Sequence, residues 1–166
     1  MDAFADLVPA SDDYAMLPVA SAFTWGPVAQ ALADGEWYVV AFRSILRPDA
    51  DRDRLTQYDD WAHEEAAGAE GFVHYYKGPL AADRSCLSFC VWNSRAEARA
   101  ASSRPSHREA VALIADTYEA YKLEFLRMRK RAGALELEFE AYDAVPDSAP
   151  AMSPRPASLG LSPAPS

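Results

Sequence analysis

The chain has no run of about twenty apolar residues, so it offers no helix able to span a bilayer. Its opening residues, Met1-Asp2-Ala3-Phe4, lack the charged-then-apolar pattern of a secretory leader. Cysteine is scarce. Cys86 and Cys90 are the only two, four apart in a strand-like run, which puts them about 13 Å apart on one face and out of bridging range. They read as small buried fillers, in keeping with a reducing cytoplasm. Basic residues are missing from positions 1–35, where Asp2, Asp6, Asp12, Asp13 and Asp34 stand unopposed, and the 166-residue chain carries a net charge of −9. Such a surface repels phosphate backbones and anionic lipid, which argues against nucleic acid and membrane as partners.

Familiar chemical signatures are missing too. There is no Gly-rich phosphate loop, no G-x-S-x-G and no paired C-x-x-C. His63-Glu64-Glu65 begins like H-E-x-x-H, but position 67 is alanine, so zinc is unsupported. Three histidines without a cysteine pair do not make a closed structural metal site.

Half the residues are apolar and a quarter charged, the profile of a globular domain. Residues 1–21, rich in Asp, Ala and Pro, show no sustained period and read as loosely ordered. Thr24-Trp25-Gly26-Pro27 reads as a helix start and Asp34-Gly35 as its stop. The working domain is expected over 22–143. The stretch 144–166 holds six prolines in 23 residues and reads as a disordered tail.

Inside the domain, Trp37 to Phe42 is apolar on both parities, a strand covered on both faces. A helix follows, capped by Asp49 or Asp51, with Leu55, Tyr58 and Ala62 at helical spacing. Phe72 to Tyr76 is a second strand and Ser85 to Trp92 a third. Ser94-Arg95-Ala96-Glu97 is a capping box that opens a short alanine-rich helix. Pro105 starts another, with a box-like Ser106…Glu109 and a stripe of Val111, Ile114, Ala115 and Tyr118. Near Tyr118 to Tyr121 the period changes from helical to alternating. A hairpin closes the domain. With Ala132-Gly133 as a two-residue turn, Arg129 faces Glu136, Arg127 faces Glu138, Met128 faces Leu137 and Leu126 faces Phe139. The Arg127–Arg131 cluster is thereby neutralised. The order is β-α-β-β-α-β, an α+β ferredoxin-like split βαβ with an antiparallel sheet and an added C-terminal hairpin strand. An open sheet of this kind leaves one face bare, to be met by a dimer partner or a ligand.

The candidate chemistry sits on aromatics and histidines. His63 lies late in the first helix beside Trp61. It reads as a site residue or as a surface histidine among Glu64 and Glu65. His74 and Tyr76 share one face of the second strand, with Tyr75 on the other. Trp92 ends the third strand, and reads as pocket wall, core or dimer contact. His107 lies in the first turn of its helix, where the positive helix end favours neutral imidazole, a usable base or axial ligand. A capping or surface role fits His107 equally.

The stretch Leu87-Ser88-Phe89-Cys90-Val91-Trp92-Asn93-Ser94-Arg95-Ala96-Glu97-Ala98, a strand ending in W-x-S and running straight into a capped helix, resembles the dimeric α+β barrel superfamily. That group includes antibiotic-biosynthesis-type monooxygenases and small haem-degrading monooxygenases. Gly35 to Arg43, Ala62 to Ala66 and Pro105 to Ala110 look like a narrower fungal and actinobacterial family with that fold. The resemblance spans about residues 35–130. It implies a homodimer whose sheets pack face to face, with a pocket inside each protomer between sheet and helices. It also implies oxidation of electron-rich phenols or enols by dioxygen without a bound organic cofactor. Trp92, Tyr76, His63 and His107 would fill the site. The haem-degrading members carry their proximal histidine further along the second helix. The nearest spacing here holds Val111, with His107 one turn earlier.

These readings lead to a small cytoplasmic monooxygenase-like tailoring enzyme for an apolar aromatic or polyketide-like molecule. His63 or His107 is the base, and Tyr76 and Trp92 shape the pocket. Two alternatives stand beside it: an enzyme of the same fold with haem or another metal in the pocket and His107 or His63 as axial ligand, His107 being the cofactor-binding candidate, and a non-catalytic ligand binder or assembly subunit.

Overall fold

A computed structural model of the protein describes residues 1–142. After a 3-10 turn at Tyr14–Met16, the elements in chain order are α1 (Val19–Ala22), α2 (Trp25–Ala31), β1 (Gly35–Leu46), α3 (Arg52–Ala67), β2 (Phe72–Tyr76), β3 (Ser85–Trp92), α4 (Arg95–Ser102), α5 (Pro105–Ala112), α6 (Ile114–Thr117), β4 (Tyr118–Lys130) and β5 (Glu138–Ala141). One antiparallel sheet runs β2-β3-β1-β4-β5, the ferredoxin-like order with a fifth strand at its edge. The expected tail, 144–166, lies outside the described residues. No helix among them is long and apolar enough to cross a membrane.

Local chemistry places the helices. The Asp51 carboxylate accepts the Arg54 N–H and starts α3. Ser94 Oγ accepts the Glu97 N–H and donates to the Glu97 carboxylate, so the expected capping box opens α4. The second expected box does not form. The Ser106 N–H donates to Glu65 Oε2 of α3 at 2.9 Å instead, so a neighbouring helix supplies the anion at the start of α5. Nor is the expected stripe buried: Val111 and Ile114 are half-buried, Ala115 is exposed, and Tyr118 is already the first residue of β4.

The segment expected to be loosely ordered is instead part of the core. Phe4, Leu7, Tyr14, Val19, Phe23 and Trp25 are all buried on the sheet face formed by Val39, Ala41, Leu87, Phe89, Val91 and Met128. Aromatic residues spaced irregularly along a short-helical path carry no period, yet their burial outweighs the ordering cost of the chain. Phe23 meets Tyr76 and Phe89 edge-on at 5.0 and 5.3 Å, and Trp25 lies 5.4 Å from Phe89 and 4.8 Å from Phe139. Polar ties hold the ends: Arg43 donates to the Ala15 carbonyl, Lys130 to the Leu32 carbonyl, and Trp25 Nε1 to the Val19 carbonyl. At the chain start, the His74 ring stacks on Phe4 at 4.5 Å and faces the Asp2 carboxylate at 3.6 Å. Residues 1–32 thus occupy the very face that a face-to-face partner sheet would use. A second sheet has no room there while this segment is seated.

The hairpin keeps the expected faces but not the expected pairs. Leu126 lies opposite Ala141, Arg127 opposite Glu140, Met128 opposite Phe139 and Arg129 opposite Glu138. The connection from Lys130 to Glu138 is longer than two residues, and the register is displaced by two, which preserves which side each residue faces. The slip sets Phe139 opposite fully buried Met128 and against Trp25. The charges lose little, because Glu36 on β1 takes both Arg127 and Arg129 at 2.9 Å and Arg127 also reaches Glu140 at 3.2 Å.

Truncating the seated segment should therefore behave as a core mutation. Phe23→Ala should lower stability by about 3–5 kcal/mol, measured by urea unfolding, while exposed Met16→Ala should change it by less than about 0.5 kcal/mol. A neutral Phe23→Ala would return the segment to the loosely ordered reading. A pH dependence accompanies it. Burial holds the His74 imidazole below the ordinary histidine range, against the opposing pull of Asp2. The folded protein then takes up this proton at lower pH than the unfolded chain. Its contribution is complete above the unfolded value of about 6.5 and is lost as pH falls. His74→Phe, which keeps a ring on Phe4, should flatten the fall in unfolding midpoint below that pH; an unchanged slope would show that other groups carry it.

Candidate functional site

The two faces of the sheet are covered very differently. On the face under residues 1–32, the central side chains of β1 and β3 have no exposure at all. On the helix side, Val40, Phe42, Ser44, Tyr75, Ser88 and Cys90 share one face through the pairings of β1, β2 and β3, and every one is only half-buried. The helices above them, α3 and α5, bury no residue fully. They pack on one another through the Glu65–Ser106 contact, and α3 meets the sheet where Asp59 and His63 reach Tyr75. We read the partly exposed strip beneath these helices as a candidate cleft with an aromatic and hydroxyl-bearing floor.

Around this cleft the titratable groups form a connected set. Tyr75 donates its hydroxyl to Asp59 of α3 at 3.0 Å, and the other Asp59 oxygen lies 3.2 Å from Lys77 Nζ. Burial, reinforced by Asp59, pushes the Tyr75 phenol far up, so it stays protonated and committed as a donor. From β4, Tyr118 and Tyr121 stand ring to ring at 5.3 Å. Burial raises both phenols, Tyr118 to about 12, with Asp59 adding to each. The Cys90 thiol is likewise pushed up to about 12 by burial and receives the Trp92 Nε1–H at 3.0 Å, so it is no thiolate nucleophile at neutral pH.

Two of the sequence-derived residues belong to this side. His107, in the first turn of α5, is half-buried and held below the ordinary histidine value. The cause is burial, with Glu65 pulling the other way, rather than the helix end that sequence reasoning invoked. It is the neutral imidazole a base requires. His63 is exposed, yet its ring lies 4.8 Å from Tyr75 and 6.0 Å from Phe72, at the edge of the cleft.

The other two are packed in the core. Tyr76 is on the opposite face, stacked on Phe89 at 5.3 Å and 12°, and is a core residue under the seated N-terminal segment. Trp92 shares the helix-side face with Cys90, to which it donates at 3.0 Å, but it is buried there with Tyr38, Ala98 and Ala101 and packed against Val40 and Phe72. Strand parity had already separated Tyr75 from Tyr76; only the helix layer tells which side is open. Tyr118, Tyr121 and Asp59 were missed. The sole signal for the tyrosines was the change of period near Tyr118.

Two surface grooves are present, the second of which shares Ser44 and Tyr121 with this constellation. One follows the outer side of α3, lined by Asp53, Gln57, Asp60, Trp61 and Glu64. The other runs beside the N-terminal segment, between Met16, Val19, Ile45, Leu126 and Phe139. Neither holds a histidine. Among the described residues no group of three or more His, Cys, Asp or Glu is placed to hold a metal ion.

Comparison with proteins of known sequence finds UPF0643 protein PB2B2.08 of Schizosaccharomyces pombe, 29% identical over 128 residues, covering 67% of this chain and 58% of the relative. The chain thus aligns with less than two thirds of that relative's length. Among solved structures it is similar to SnoaB, a cofactor-independent oxygenase from Streptomyces nogalater, with 16% identity, 61% of this chain and 100% of that chain covered, and a TM-score of 0.48. A dimeric ferredoxin-like protein of unknown function from Thermobifida fusca is similar at 17% identity, with 55% and 90% of the two chains covered and a TM-score of 0.45. These structural likenesses are distant, and the ferredoxin-like fold rests on the strand order itself. The PB2B2.08-like family model matches residues 1–141, most of the described structure and the N-terminal segment included, and the chain belongs to that family.

Proposed function

We propose that the cleft between the sheet and the α3–α5 layer binds a small, flat, largely apolar molecule, and that His107 acts there as general base in a monooxygenase-like oxidation. The observation that carries this reading is the contrast between the faces: the helix side keeps solvent access along an aromatic floor while the opposite face is sealed. In this reading the neutral, half-buried His107 imidazole on α5 serves as the proton acceptor, and the raised phenols beside the partnered Asp59 serve as donors. With an electron-rich phenol or enol, His107 takes the acidic proton. The substrate anion passes an electron to dioxygen, the radical pair closes a C–O bond as a peroxide anion that takes up a proton, and the resulting hydroperoxide loses water together with the hydrogen on that carbon to leave a carbonyl. One atom of dioxygen enters the product and the other leaves as water. His63, exposed against Tyr75, stands at the entrance, where it can relay the proton to solvent. A homodimer built through the opposite face would require residues 1–32 to be displaced, so any homodimer in this proposal uses another surface.

Oxygen uptake with electron-rich naphthols as trial substrates tests the assignment. His107→Ala should cut turnover by about 10²–10⁴-fold with an unchanged unfolding midpoint at pH 8. If His107→Ala and His63→Ala both turned over at the full rate, no histidine would be the base. Because burial lowers the His107 pKa, the acid limb of the rate profile should have its midpoint below about 6.5, with the rate rising as pH rises through it. The visible spectrum after adding haemin separates the haem reading: a sharp Soret band lost in His107→Ala would make that residue an axial ligand instead of a base.

A further inference from the structure

In a strand, residues three apart point to opposite faces, so Tyr118 and Tyr121 ought to be separated by the sheet. They are not, because the β1–β4 pairing slips. Ala120 lies opposite Ile45 and Tyr118 opposite Leu46, leaving Glu119 as the additional residue of a β-bulge. A bulge re-aims a side chain at a cost in ladder pairing, and such features gather beside binding sites. This one is fastened from three directions. The Leu46 N–H donates to the Arg84 carbonyl and the Arg47 N–H to the Thr117 carbonyl, both at 2.9 Å. The Arg84 side chain reaches Glu119 at 3.4 Å, and Arg84 itself adopts φ +66°, the left-handed region that non-glycine residues rarely occupy.

The outcome is two half-buried phenols ring to ring on the cleft side. The Tyr75 hydroxyl is spent on Asp59. Those of Tyr118 and Tyr121 have no hydrogen-bond partner among the described residues. Neither is among the buried unpartnered polar atoms, so solvent reaches both hydroxyls and a ligand oxygen can take the place of water as acceptor. We propose that Tyr118 and Tyr121 form a two-donor clamp for one oxygen of the bound molecule, selecting a carbonyl or oxyanion over a bare hydrocarbon. The clamp rests on the reading of the cleft as a ligand site and specifies what that site recognises. Burial keeps both phenols protonated, so they donate and do not compete as anions. Asp59, the carboxylate nearest this cluster, is offset by Lys77 and by the Tyr75 hydroxyl. The tilted ring pair gives a flat ligand an edge to pack on.

Binding of 2-naphthol and of naphthalene to the full chain tests this. Wild type should favour the naphtholate, so that bound 2-naphthol ionises at lower pH than free. Tyr118→Phe and Tyr121→Phe should each weaken naphtholate binding about ten-fold or more and leave naphthalene binding unchanged. Ser88→Trp, which fills the floor of the cleft, should abolish binding of both; Phe42→Trp serves if that variant does not fold. Undiminished naphtholate preference in both Phe variants, with binding still lost in the filled variant, would overturn the clamp while the cleft stands. Absence of binding to wild type, or binding indifferent to filling, would overturn the cleft and the clamp together.

Discussion

The ring cluster around Phe89 is the contact on which the remaining architecture depends. Phe89 sits at the middle of β3 with no exposure and meets Phe23, Trp25 and Tyr76. Two of these come from the N-terminal segment and one from the edge strand, so a single buried ring joins three parts of the chain. Aromatic burial of this size dominates a core. It decides which face of the sheet is sealed from within and leaves the helix side the more open of the two. It also draws Phe139 beneath Trp25, which sets the register of β5.

The cleft side follows a different logic. Its helices are held to one another by a carboxylate-to-backbone contact, Glu65 to Ser106, and to the sheet by Asp59 and Tyr75. Neither helix inserts a fully buried residue. The layer is fixed by polar contacts at its edges rather than by fully buried side chains along its length. Irregular pairings flank the space. The β2–β3 register shifts between Phe72 and His74, and the β1–β4 register between Ile45 and Leu46. Both shifts alter which side chains reach the cleft, and in β4 the shift brings two tyrosines together.

An open sheet of this order has a bare face that needs a cover, and here residues 1–32 supply it through Phe4, Leu7, Phe23, Trp25 and Val28. A covalently attached cover avoids the loss of translational and rotational freedom that association entails. The family model's reach back to residue 1 agrees with this segment being integral to the domain.

By itself the sequence determined the strands and the helix starts. Phe72–Tyr76 and Ser85–Trp92 have the expected limits, and Asp51 and Ser94 cap as expected. Those are properties of neighbouring residues, set by alternation and by short-range hydrogen bonds, and so is the α+β order they spell out. Tertiary structure alone decided the rest. The N-terminal segment has no period, so its place in the core emerges only when Phe23 and Trp25 find Phe89. The hairpin slipped by two because Phe139 gains more under Trp25 than opposite Leu126, and Glu36, distant in sequence, satisfies the arginines either way. Tyr76 and Tyr75 are distinguishable by parity, but which of them faces an open cleft depends on what covers each side. Tyr118 and Tyr121 share a face only through a bulge, fixed by Arg84 more than thirty residues earlier. Long-range burial and partner choice, which leave no local trace, made the site.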